Sequence, residues 1–227
     1  MKATGGDDDA KRRAGEHAAG LIEDGMVVGL GTGSTAAHAI RELGRAVEAG
    51  LDAVGVATSY QSADLAREVG VPLRTLDDVS AVDVAIDGAD QIAELDCIKG
   101  GGAAHAREKL VDATADRLVI VADPSKEADR LDRPVPVEIL PDARRPVSAA
   151  LRGLGGEPEL RQAERKDGPV VTENGNLVLD CAFGPIEDPG GLAGDLSAVP
   201  GVVEHGLFVG LTDDVVVGTT DGVETRR

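Results

Sequence analysis

The sequence predicts an α/β protein with a mostly parallel sheet, helices on both faces of that sheet, and a smaller α+β domain. Short apolar runs alternate with helix-like segments up to about residue 130. These runs are almost continuously apolar, as expected for parallel strands that are buried on both faces. Glycines and polar residues follow several runs directly, at the sheet edge where α/β proteins bind ligands. A length of 227 residues is enough for one large domain or two small ones.

The first 128 residues alternate helices and strands. In one helix, Ala36, Ala39, Ile40 and Leu43 recur at helical spacing and form an apolar face. The predicted elements in chain order are helix 8–23, strand Met26–Leu30, helix Thr35–Ala49, strand Ala53–Ala57, helix Gln61–Val69, strand Val82–Ile86, helix Ala103–Ala113 and strand Leu118–Ala122.

The pattern changes after about Arg130, where four prolines between residues 134 and 146 mark breaks. The predicted elements here are a helix over Pro146–Leu154 and antiparallel strands over Glu159–Arg165 and Pro169–Cys181, the second interrupted by a turn at Asn174-Gly175. The closing runs Val202–Val209 and Val215–Val217 are expected to return to the main sheet. The predicted domains are therefore 1–128 with 203–227, and 129–202.

The charge of the chain disfavours two classes of partner. Lys+Arg 23 and Asp+Glu 41 give a formal net charge of -18. This charge repels nucleic-acid phosphates and anionic lipid headgroups, so we expect no nucleic acid and no membrane as partners.

No apolar run approaches the ~18 residues that span a bilayer, and the N-terminal residues lack the apolar segment of a secretory signal. Cys97 and Cys181 provide neither a disulfide framework nor a zinc site. We expect a cytoplasmic protein.

The chain uses lysine and aromatic residues sparingly. Only 6 of its 23 basic residues are lysines, and aromatic residues make up 1% of it. Acid-rich, lysine-poor surfaces over small aliphatic cores favour the hypothesis of a halophilic protein, because molar salt screens the self-repulsion of the surface. The alternative is acidity that arose by drift. Such a surface should keep lysine mainly where an ammonium group is needed. Three of the six, Lys99, Lys109 and Lys126, fall in the two segments Lys99–Lys109 and Ala122–Lys126.

The segment Gly29–Ala36 (GLGTGSTA) joins a strand to a helix and resembles an anion site. Its glycines let the backbone approach a ligand, its helix N-terminus favours negative charge, and Thr32, Ser34 and Thr35 add hydroxyl donors. It lacks the lysine of a P-loop, which argues against a nucleoside triphosphate.

The spacing Gly31-x-Gly33-x-x-Ala36 also matches a loose dinucleotide fingerprint. The acidic residue that this fingerprint requires should close the second strand, but Asp52 precedes that strand, which ends in Thr58-Ser59. Hydroxyl groups there suit a small phosphate better than a ribose diol. We predict a monophosphate site, with a plain tight turn as the alternative.

The segment Ile86–Asp90 (IDGAD) places two carboxylates, Asp87 and Asp90, just past a buried strand. A pair of close carboxylates is suited to carrying a proton. The alternative is an ordinary Asp-Gly turn in which Asp90 caps a helix.

The segment Lys99–Lys109 (KGGGAAHAREK) is the most specific of the chain. Its three glycines form a loop rich in N–H donors, at which Lys99 can neutralise an oxyanion. Glu108 lies on the following helix and can act as a base if it faces the same cleft; the alternative is an exposed residue paired with Arg or Lys. Lys126 follows the strand Leu118–Ala122, at the same expected edge of the sheet.

Eight segments occur in order from Gly29 to Phe208. They are GLGTGSTA, ATSYQS, IDGAD, KGGGAAHAREK, ADPSK, PVEILP, TENGN and VPGVVEHGLF. Together they resemble ribose-5-phosphate isomerase of type A. The resemblance implies a Rossmann-like main domain with a smaller α+β domain. It also implies an enzyme of the pentose phosphate pathway that interconverts ribose 5-phosphate and ribulose 5-phosphate without metal or cofactor, as a homodimer or homotetramer.

The resemblance further implies roles for individual residues. Glu108 matches the family's carboxylate base, Asp87 and Asp90 its paired aspartates, and Lys99 its loop lysine. The implied substrate-binding residues are Gly31, Thr32, Gly33, Ser34, Thr35, Gly88, Gly100, Gly101, Gly102 and Lys126. Two positions depart from the family pattern: Gln91 and Glu173 stand where Glu and Asp are usual.

Three other functions use some of the same residues. A non-catalytic sugar-phosphate sensor would keep the GTGST loop but would not need Lys99, Asp87 and Glu108 together. An amino-sugar-phosphate deaminase would need a catalytic histidine, for which His105 is the candidate. An NAD-dependent enzyme would rely on the weak dinucleotide fingerprint.

Overall fold

The computed structural model describes residues 7–227 and contains six α-helices and fourteen strands in that range. In chain order they are α1 (Asp8–Ala19), β1 (Met26–Leu30), α2 (Ser34–Glu48), β2 (Ala53–Ala57), α3 (Tyr60–Glu68), β3 (Leu73–Arg74), β4 (Val84–Gly88), β5 (Gln91–Ala93), β6 (Asp96–Ile98), α4 (His105–Asp112), β7 (Leu118–Ala122), β8 (Val135–Ile139), α5 (Arg144–Gly153), β9 (Glu157–Leu160), β10 (Leu177–Ala182), α6 (Pro189–Ser197), β11 (Val202–His205), β12 (Leu207–Phe208), β13 (Asp214–Gly218) and β14 (Val223–Arg226). No helix of the described residues combines the length and apolarity needed to cross a membrane.

Contacts divide the described chain into two compact units. The parallel-sheet unit comprises residues 7–89, 107–127 and 210–227. The antiparallel-sheet unit comprises residues 90–106 and 128–209. This division differs from the predicted domain boundaries, because it assigns residues 90–106, residue 128 and residues 203–209 to the unit that holds residues 129–202.

The parallel-sheet unit is built on seven strands in the order β14-β13-β7-β4-β1-β2-β3. Six strands run parallel, and β14 pairs antiparallel with β13 at one edge. Strand β7 is buried at every position, as its unbroken apolar run predicts. Helices cover the sheet, and α1, α2 and the central strands share one apolar core. The predicted α/β class is confirmed, and the C-terminal ends of β1, β2, β4 and β7 meet at one edge.

The antiparallel-sheet unit contains a four-stranded sheet, β11-β8-β10-β9, and a three-stranded sheet, β12-β6-β5. Its core combines aliphatic residues of these strands with α5 and α6, including Val137, Leu151 and Leu196. The buried carboxylate Glu138 accepts hydrogen bonds from Thr172 Oγ1, Asn174 Nδ2 and Asn176 Nδ2 at 2.8–3.0 Å. This network connects the PVEILP segment, which contains Glu138, to the TENGN segment.

One strand prediction was wrong and another was confirmed only in part. The run Val202–Val209 does not return to the main sheet: it forms β11, which pairs with β8, and β12, which pairs with β6. In Pro169–Cys181 the predicted turn at Asn174-Gly175 is present, held by the hydrogen bonds to Glu138. The part before the turn forms only isolated bridges at Pro169 and Val171, and the part after it forms β10. The run Val215–Val217 does lie in the main sheet, within β13.

A buried carboxylate anchors the start of β13. Asp214 is 2% exposed and accepts hydrogen bonds from Arg117 Nε at 2.6 Å and Arg227 Nε at 3.0 Å. Burial raises the pKa of this carboxyl, but the hydrogen bonds and charges of the two arginines outweigh burial, so the net shift of its pKa is downward.

The Asp214→Asn variant is expected to be less stable than the wild type by about 1–3 kcal/mol at pH 7. A carboxyl whose pKa is lowered by folding stabilises the fold above its unfolded pKa, and that contribution is lost as the pH falls through the folded pKa. The stability gap between wild type and variant should therefore shrink below about pH 4. Urea unfolding in molar KCl at several pH values measures this gap. The exposed Asp64→Asn is the control, and a gap independent of pH would contradict the assignment.

The net charge of -18 predicts salt-dependent stability. Raising KCl from about 0.1 M to about 1 M shortens the screening length from about 10 Å to about 3 Å and weakens repulsion among the acidic side chains. We expect the midpoint of thermal unfolding to rise by about 5–10 °C, which corresponds to roughly 2–3 kcal/mol for a chain of this size. Circular dichroism at the two salt concentrations provides the measurement. Equal midpoints would contradict the halophilic interpretation.

Candidate active site

The Gly31–Thr35 loop of the parallel-sheet unit runs from the end of β1 to the start of α2 and packs directly on Asp87. Gly31 donates its N–H to the carbonyl of Ile86 at 3.0 Å, and Thr32 donates its N–H to Asp87 Oδ1 at 2.9 Å. Only glycine fits at position 31, because a β-carbon there would overlap the Cα and the carboxylate of Asp87. The loop and the aspartate therefore form one rigid piece.

A cluster of hydroxyl groups holds the other side of this loop. Thr32 Oγ1 lies 2.9 Å from Thr58 Oγ1 and 2.7 Å from Ser59 Oγ. Thr58 and Ser59 follow β2 and are buried, and Ser59 also caps α3. Asp52, the acidic residue considered for a ribose, is exposed at the opposite end of β2. The site at the end of β2 thus offers hydroxyl groups and lacks the carboxylate that the dinucleotide fingerprint requires.

The first turn of α2 provides backbone donors for an anion. Gly33 is the N-cap residue and makes no side-chain capping bond. Helix hydrogen bonding begins with the N–H of Ala37, which donates to Gly33 O at 3.0 Å. The preceding N–H groups point out of the helix end, where the helix dipole favours negative charge. Ser34 is exposed beside them, whereas Thr35 is buried.

Asp87 and Glu108 are buried carboxylates of the parallel-sheet unit, with exposed fractions of 0% and 5%. Asp87 Oδ1 also accepts the N–H of Gly88 at 2.6 Å. Glu108 lies in the first turn of α4, and Val111 of that helix packs against Gly29 of β1. The neighbouring Arg107 lies 5.8 Å from the centre of the ring of Tyr60, which begins α3 just past the C-terminal end of β2. Glu108 therefore lies toward the edge of the sheet that carries Asp87. The alternative of an exposed Glu108 is wrong.

Two lysines of the parallel-sheet unit are buried, each 8% exposed. Lys126 ends the short 3₁₀ helix Pro124–Lys126 that follows β7, and Asp123 Oδ1 caps this turn by accepting the N–H of Ser125 at 2.9 Å. Lys11 lies on α1, one turn before Gly15, at which α1 packs closely on Thr35 and Ala39 of α2. Both lysines thus lie on elements that border the loop edge of the sheet.

Asp90 belongs to the antiparallel-sheet unit and is tied to the glycine loop of that unit. Its N–H donates to Ile98 O at 2.8 Å, and its Oδ2 accepts the N–H of Gly101 at 2.7 Å. Strand β5 begins at the next residue, so the alternative in which Asp90 caps a helix is wrong.

Lys99 precedes the glycine loop and is 1% exposed. Its N–H donates to Gly206 O at 2.9 Å, and its Nζ lies 5.1 Å from the centre of the Phe208 ring. Gly100 adopts a φ of 101°, a conformation that favours glycine, and the buried His105 packs against it. Gly102 is the exposed residue of the loop.

Each unit thus brings part of the predicted site together. The parallel-sheet unit holds Gly31, Thr32, Gly33, Ser34, Thr35, Asp87, Gly88, Glu108 and Lys126. The antiparallel-sheet unit holds Asp90, Lys99, Gly100, Gly101 and Gly102. Residues 7–227 contain no group of three or more His, Cys, Asp or Glu side chains placed to hold a metal ion together.

The sequence profile of ribose 5-phosphate isomerase A, also called phosphoriboisomerase A, matches residues 54–222. The chain belongs to the ribose 5-phosphate isomerase A family. Members of this family are aldose–ketose isomerases, so the resemblance predicted from the eight segments is confirmed.

Curated relatives from halophilic archaea match the chain over almost its whole length. Ribose-5-phosphate isomerase A of Haloarcula marismortui is 67% identical over 222 residues, covering 98% of this chain and 97% of the relative. That of Natronomonas pharaonis is 66% identical over 226 residues, covering 100% of both.

Solved structures of the family share the fold. Ribose 5-phosphate isomerase A from Methanocaldococcus jannaschii has a TM-score of 0.92 and 45% identity, covering 96% of this chain and 97% of that one. A D-ribose-5-phosphate isomerase in complex with phospho-erythronic acid has a TM-score of 0.93 and 43% identity, with the same coverage.

The two departures from the family pattern have different structural settings. Gln91 is buried; its Nε2 donates to Asp132 Oδ1 at 2.6 Å, and its Oε1 accepts the N–H groups of Asp132 and Arg133. A glutamate would set a second carboxylate beside Asp132, so the amide suits this chain. Glu173 lies exposed in the turn that Thr172 and Asn176 anchor.

Sequence reasoning did not single out two residues with largely buried side chains that lie beside predicted site segments, Lys11 in the parallel-sheet unit and Arg161 in the antiparallel-sheet unit. The scarcity of lysine was a usable signal for Lys11, because it is one of only six lysines and is buried. Arg161 gave no such signal, since it lies in a segment predicted as an ordinary strand; its side chain contacts the glycine loop.

Proposed function

We propose that this member of the isomerase family interconverts D-ribose 5-phosphate and D-ribulose 5-phosphate through a cis-enediolate, with Glu108 as general base. The observation that carries the proposal is a buried carboxylate, Glu108, in a helix turn directed toward the edge that carries the Gly31–Thr35 loop and Asp87. The relative that binds phospho-erythronic acid supports it, because this ligand combines a phosphate with a carboxylate that can imitate the charge of an enediolate.

The first turn of α2 is the proposed phosphate site. The N–H groups at Ser34 and Thr35 and the hydroxyl of Ser34 would donate to the phosphate oxygens. Lys126 and Lys11 would balance the charge of the phosphate, and their burial would strengthen that attraction. Thr58 and Ser59 support the site by holding Thr32 in place.

The two aspartates are proposed to open the sugar ring. Ribose 5-phosphate is mostly a furanose, so a proton must leave the C1 hydroxyl and another must reach the ring oxygen before isomerisation. Asp87, fixed by the N–H groups of Thr32 and Gly88, is the candidate for this transfer, with assistance from Asp90. The two residues are three positions apart in the chain, so their Cα atoms lie within about 11 Å of each other.

Glu108 is proposed to transfer the proton between C2 and C1. The C2 proton passes to Glu108, the electron pair of that bond forms the C1–C2 double bond, and negative charge collects on the C1 oxygen. Return of the proton from Glu108 to C1, while the C2 hydroxyl proton passes to the C1 oxygen, yields the ketose. Lys99 and the N–H groups of the glycine loop are proposed to stabilise the negative oxygen.

The Lys126→Ala variant is expected to raise KM for ribose 5-phosphate about 10-fold or more and to leave kcat within about threefold. A hydrogen bond to a charged group contributes about 1.5–3 kcal/mol, and a phosphate contact is made equally in substrate and transition state. Steady-state kinetics in molar KCl measure the split, with the exposed Lys166→Ala as control. A loss confined to kcat would contradict the assignment.

The test of the proposed function is formation of ribulose 5-phosphate from ribose 5-phosphate by the wild type in molar KCl with EDTA. Turnover that survives EDTA supports the isomerase without a metal. A folded protein that binds ribose 5-phosphate but does not turn it over would favour the sugar-phosphate sensor. Ammonia release from glucosamine 6-phosphate would favour the deaminase.

We also propose that a sugar phosphate is the small-molecule partner of this chain, which acts in the cytoplasm as a homodimer or homotetramer. Family membership supports both statements. Light scattering after gel filtration in molar KCl tests the assembly, and a monomer at micromolar concentration would contradict it.

A further inference from the structure

Arg161 connects the glycine loop of the antiparallel-sheet unit to the strands beside it. It directly follows β9, and its side chain is 9% exposed. Its Nε donates to Asp180 Oδ2 at 2.8 Å, and its Nη2 donates to Asp180 Oδ1. Its Nη1 donates to Gly100 O at 2.9 Å and to Gly101 O at 3.3 Å. All three guanidinium nitrogens are therefore used, two by a carboxylate and one by the loop.

The contacts of Arg161 determine where the N–H groups of the loop point. A trans peptide directs its carbonyl oxygen and its N–H to opposite sides. The carbonyl of Gly100 faces Arg161, and the N–H of the same peptide, that of Gly101, donates to Asp90 Oδ2 at 2.7 Å. The carbonyl of Gly101 faces Arg161 as well, so the N–H of Gly102 is directed away from the guanidinium.

The loop contains one residue in a costly conformation. Gly100 has a φ of 101°, which glycine adopts readily, but Ala103, a residue with a side chain, has a φ of 59°. Such a conformation persists only where the surroundings hold it. The N–H of Ala103 donates to Gly100 O at 2.9 Å, and this is the same carbonyl oxygen that Arg161 Nη1 contacts. The cation also polarises the two peptides through their carbonyl oxygens, and a polarised peptide is a stronger N–H donor.

We propose that Arg161 is a positioning residue for the isomerisation. It holds and polarises two peptides so that the Gly101 N–H orients Asp90 and the Gly102 N–H stabilises the negative oxygen of the enediolate. The inference rests on the proposed function, since it requires an oxygen that becomes negative during the reaction. Donors aligned in advance with developing charge act on the transition state more than on bound substrate, so their loss lowers kcat more than it raises KM.

The Arg161→Met variant in molar KCl tests the proposal. We expect kcat to fall about 10–100-fold, because removal of one oxyanion donor typically lowers kcat by about 100-fold or more and Arg161 acts on such donors only indirectly. The KM for ribose 5-phosphate should change less than about threefold. Inhibition by phospho-erythronic acid should weaken by a factor similar to the loss of kcat, because its carboxylate imitates the enediolate. Arg130→Met, which removes an exposed arginine paired with Glu187 in the same unit, is the matched control and should leave all three values unchanged.

Two further variants separate positioning from a structural contribution. Asp180→Asn keeps the guanidinium at the loop but weakens its ion pair with residue 180. Arg161→Lys keeps the positive charge but lacks the several N–H donors of the guanidinium. Both variants should show intermediate losses of kcat. Methylguanidinium should partly restore kcat to Arg161→Ala, an effect that a folding defect would not show. If Arg161→Met does not fold, the same comparison is made with these variants.

The outcomes distinguish this inference from the proposed function. An active wild type with folded Arg161 variants of unchanged kcat would overturn the positioning of the loop by Arg161 and leave the isomerase intact. A folded wild type without isomerase activity would overturn the proposed function and this inference with it.

Discussion

Replacement of Glu108 by glutamine is expected to lower kcat for ribose 5-phosphate isomerisation by about 10²–10⁴-fold, the contribution typical of a positioned general base. Glutamine has almost the shape of glutamate, so the packing of this 5% exposed side chain is preserved. The amide is unable to accept the C2 proton. KM should stay within about threefold, because no phosphate or hydroxyl contact is removed.

The measurement for Glu108 combines rate and isotope exchange. Initial rates of ribulose 5-phosphate formation give kcat and KM in molar KCl, and thermal unfolding verifies that the variant is folded. In D₂O the wild type should incorporate solvent deuterium at C2 of ribose 5-phosphate or C1 of ribulose 5-phosphate, and the variant should not. Glu48→Gln, an exposed change at the end of α2, is the control. Deuterium exchange at the wild-type rate in Glu108→Gln would assign the base to another residue.

The parallel-sheet unit was the predictable part of the fold. Strands β1, β2 and β7 have the predicted bounds, because each is a short apolar run with turn residues on both sides. Buried parallel strands carry this signal in their own residues. Residues that directly follow such strands lie at the C-terminal edge of the sheet, because the strands are parallel. The sequence therefore places Asp87 and the Gly31–Thr35 loop at the same edge.

The antiparallel-sheet unit was less predictable because its elements depend on distant partners. Strands β6 and β12 have three and two residues, too few for a periodic pattern. Strand β12 pairs with the distant β6, and β6 pairs on its other side with β5. Pro136, interpreted as a break, lies inside β8, where its carbonyl accepts the N–H of Gly206 at 2.7 Å. Helix α6 contains three glycines, which disfavour a helix. Only the N-cap Asp188 and Pro189 indicate in the sequence that a helix begins there.

The site residues divide in the same way. Residues with distinctive chemistry in a distinctive segment, such as Lys99 and Glu108, were selected from the sequence alone. Thr58 and Ser59 were noted as hydroxyl donors to a phosphate, and the structure adds that they also hold Thr32. The sequence did not indicate Arg161, because its side chain binds two backbone carbonyl groups that lie about 60 residues away in the chain. A contact with backbone carbonyls leaves no pattern in the side chains of the loop.

The second large prediction concerns Gly31, where the backbone lies in direct contact with Asp87. Gly31→Ala is expected to lower the free energy of unfolding by about 1–3 kcal/mol and kcat/KM by about 100-fold, the loss that a displacement of about 1 Å can produce. The added methyl group would overlap the Cα of Asp87 as well as its carboxylate. Rotation of a side chain relieves the second overlap but not the first. Asp87 lies in β4, which pairs with β1 just before Gly31, so the two backbones separate only by breaking that pairing.

Gly44→Ala separates the loss of site geometry from overpacking in general. A β-carbon at Gly44 would lie 2.6 Å from Val69 Cβ and 2.7 Å from its carbonyl oxygen, a comparable collision at the packing of α2 on the end of α3. This variant should lose a similar amount of stability and keep kcat/KM within about threefold, because no site residue moves. Equal losses of kcat/KM in both variants would show that activity follows global stability. A loss of kcat/KM in Gly31→Ala alone would show that the reaction requires the fixed distance between the Gly31–Thr35 loop and Asp87. The two variants would be equally destabilised, and they would differ only in whether the backbone had moved at Gly31 or at Gly44.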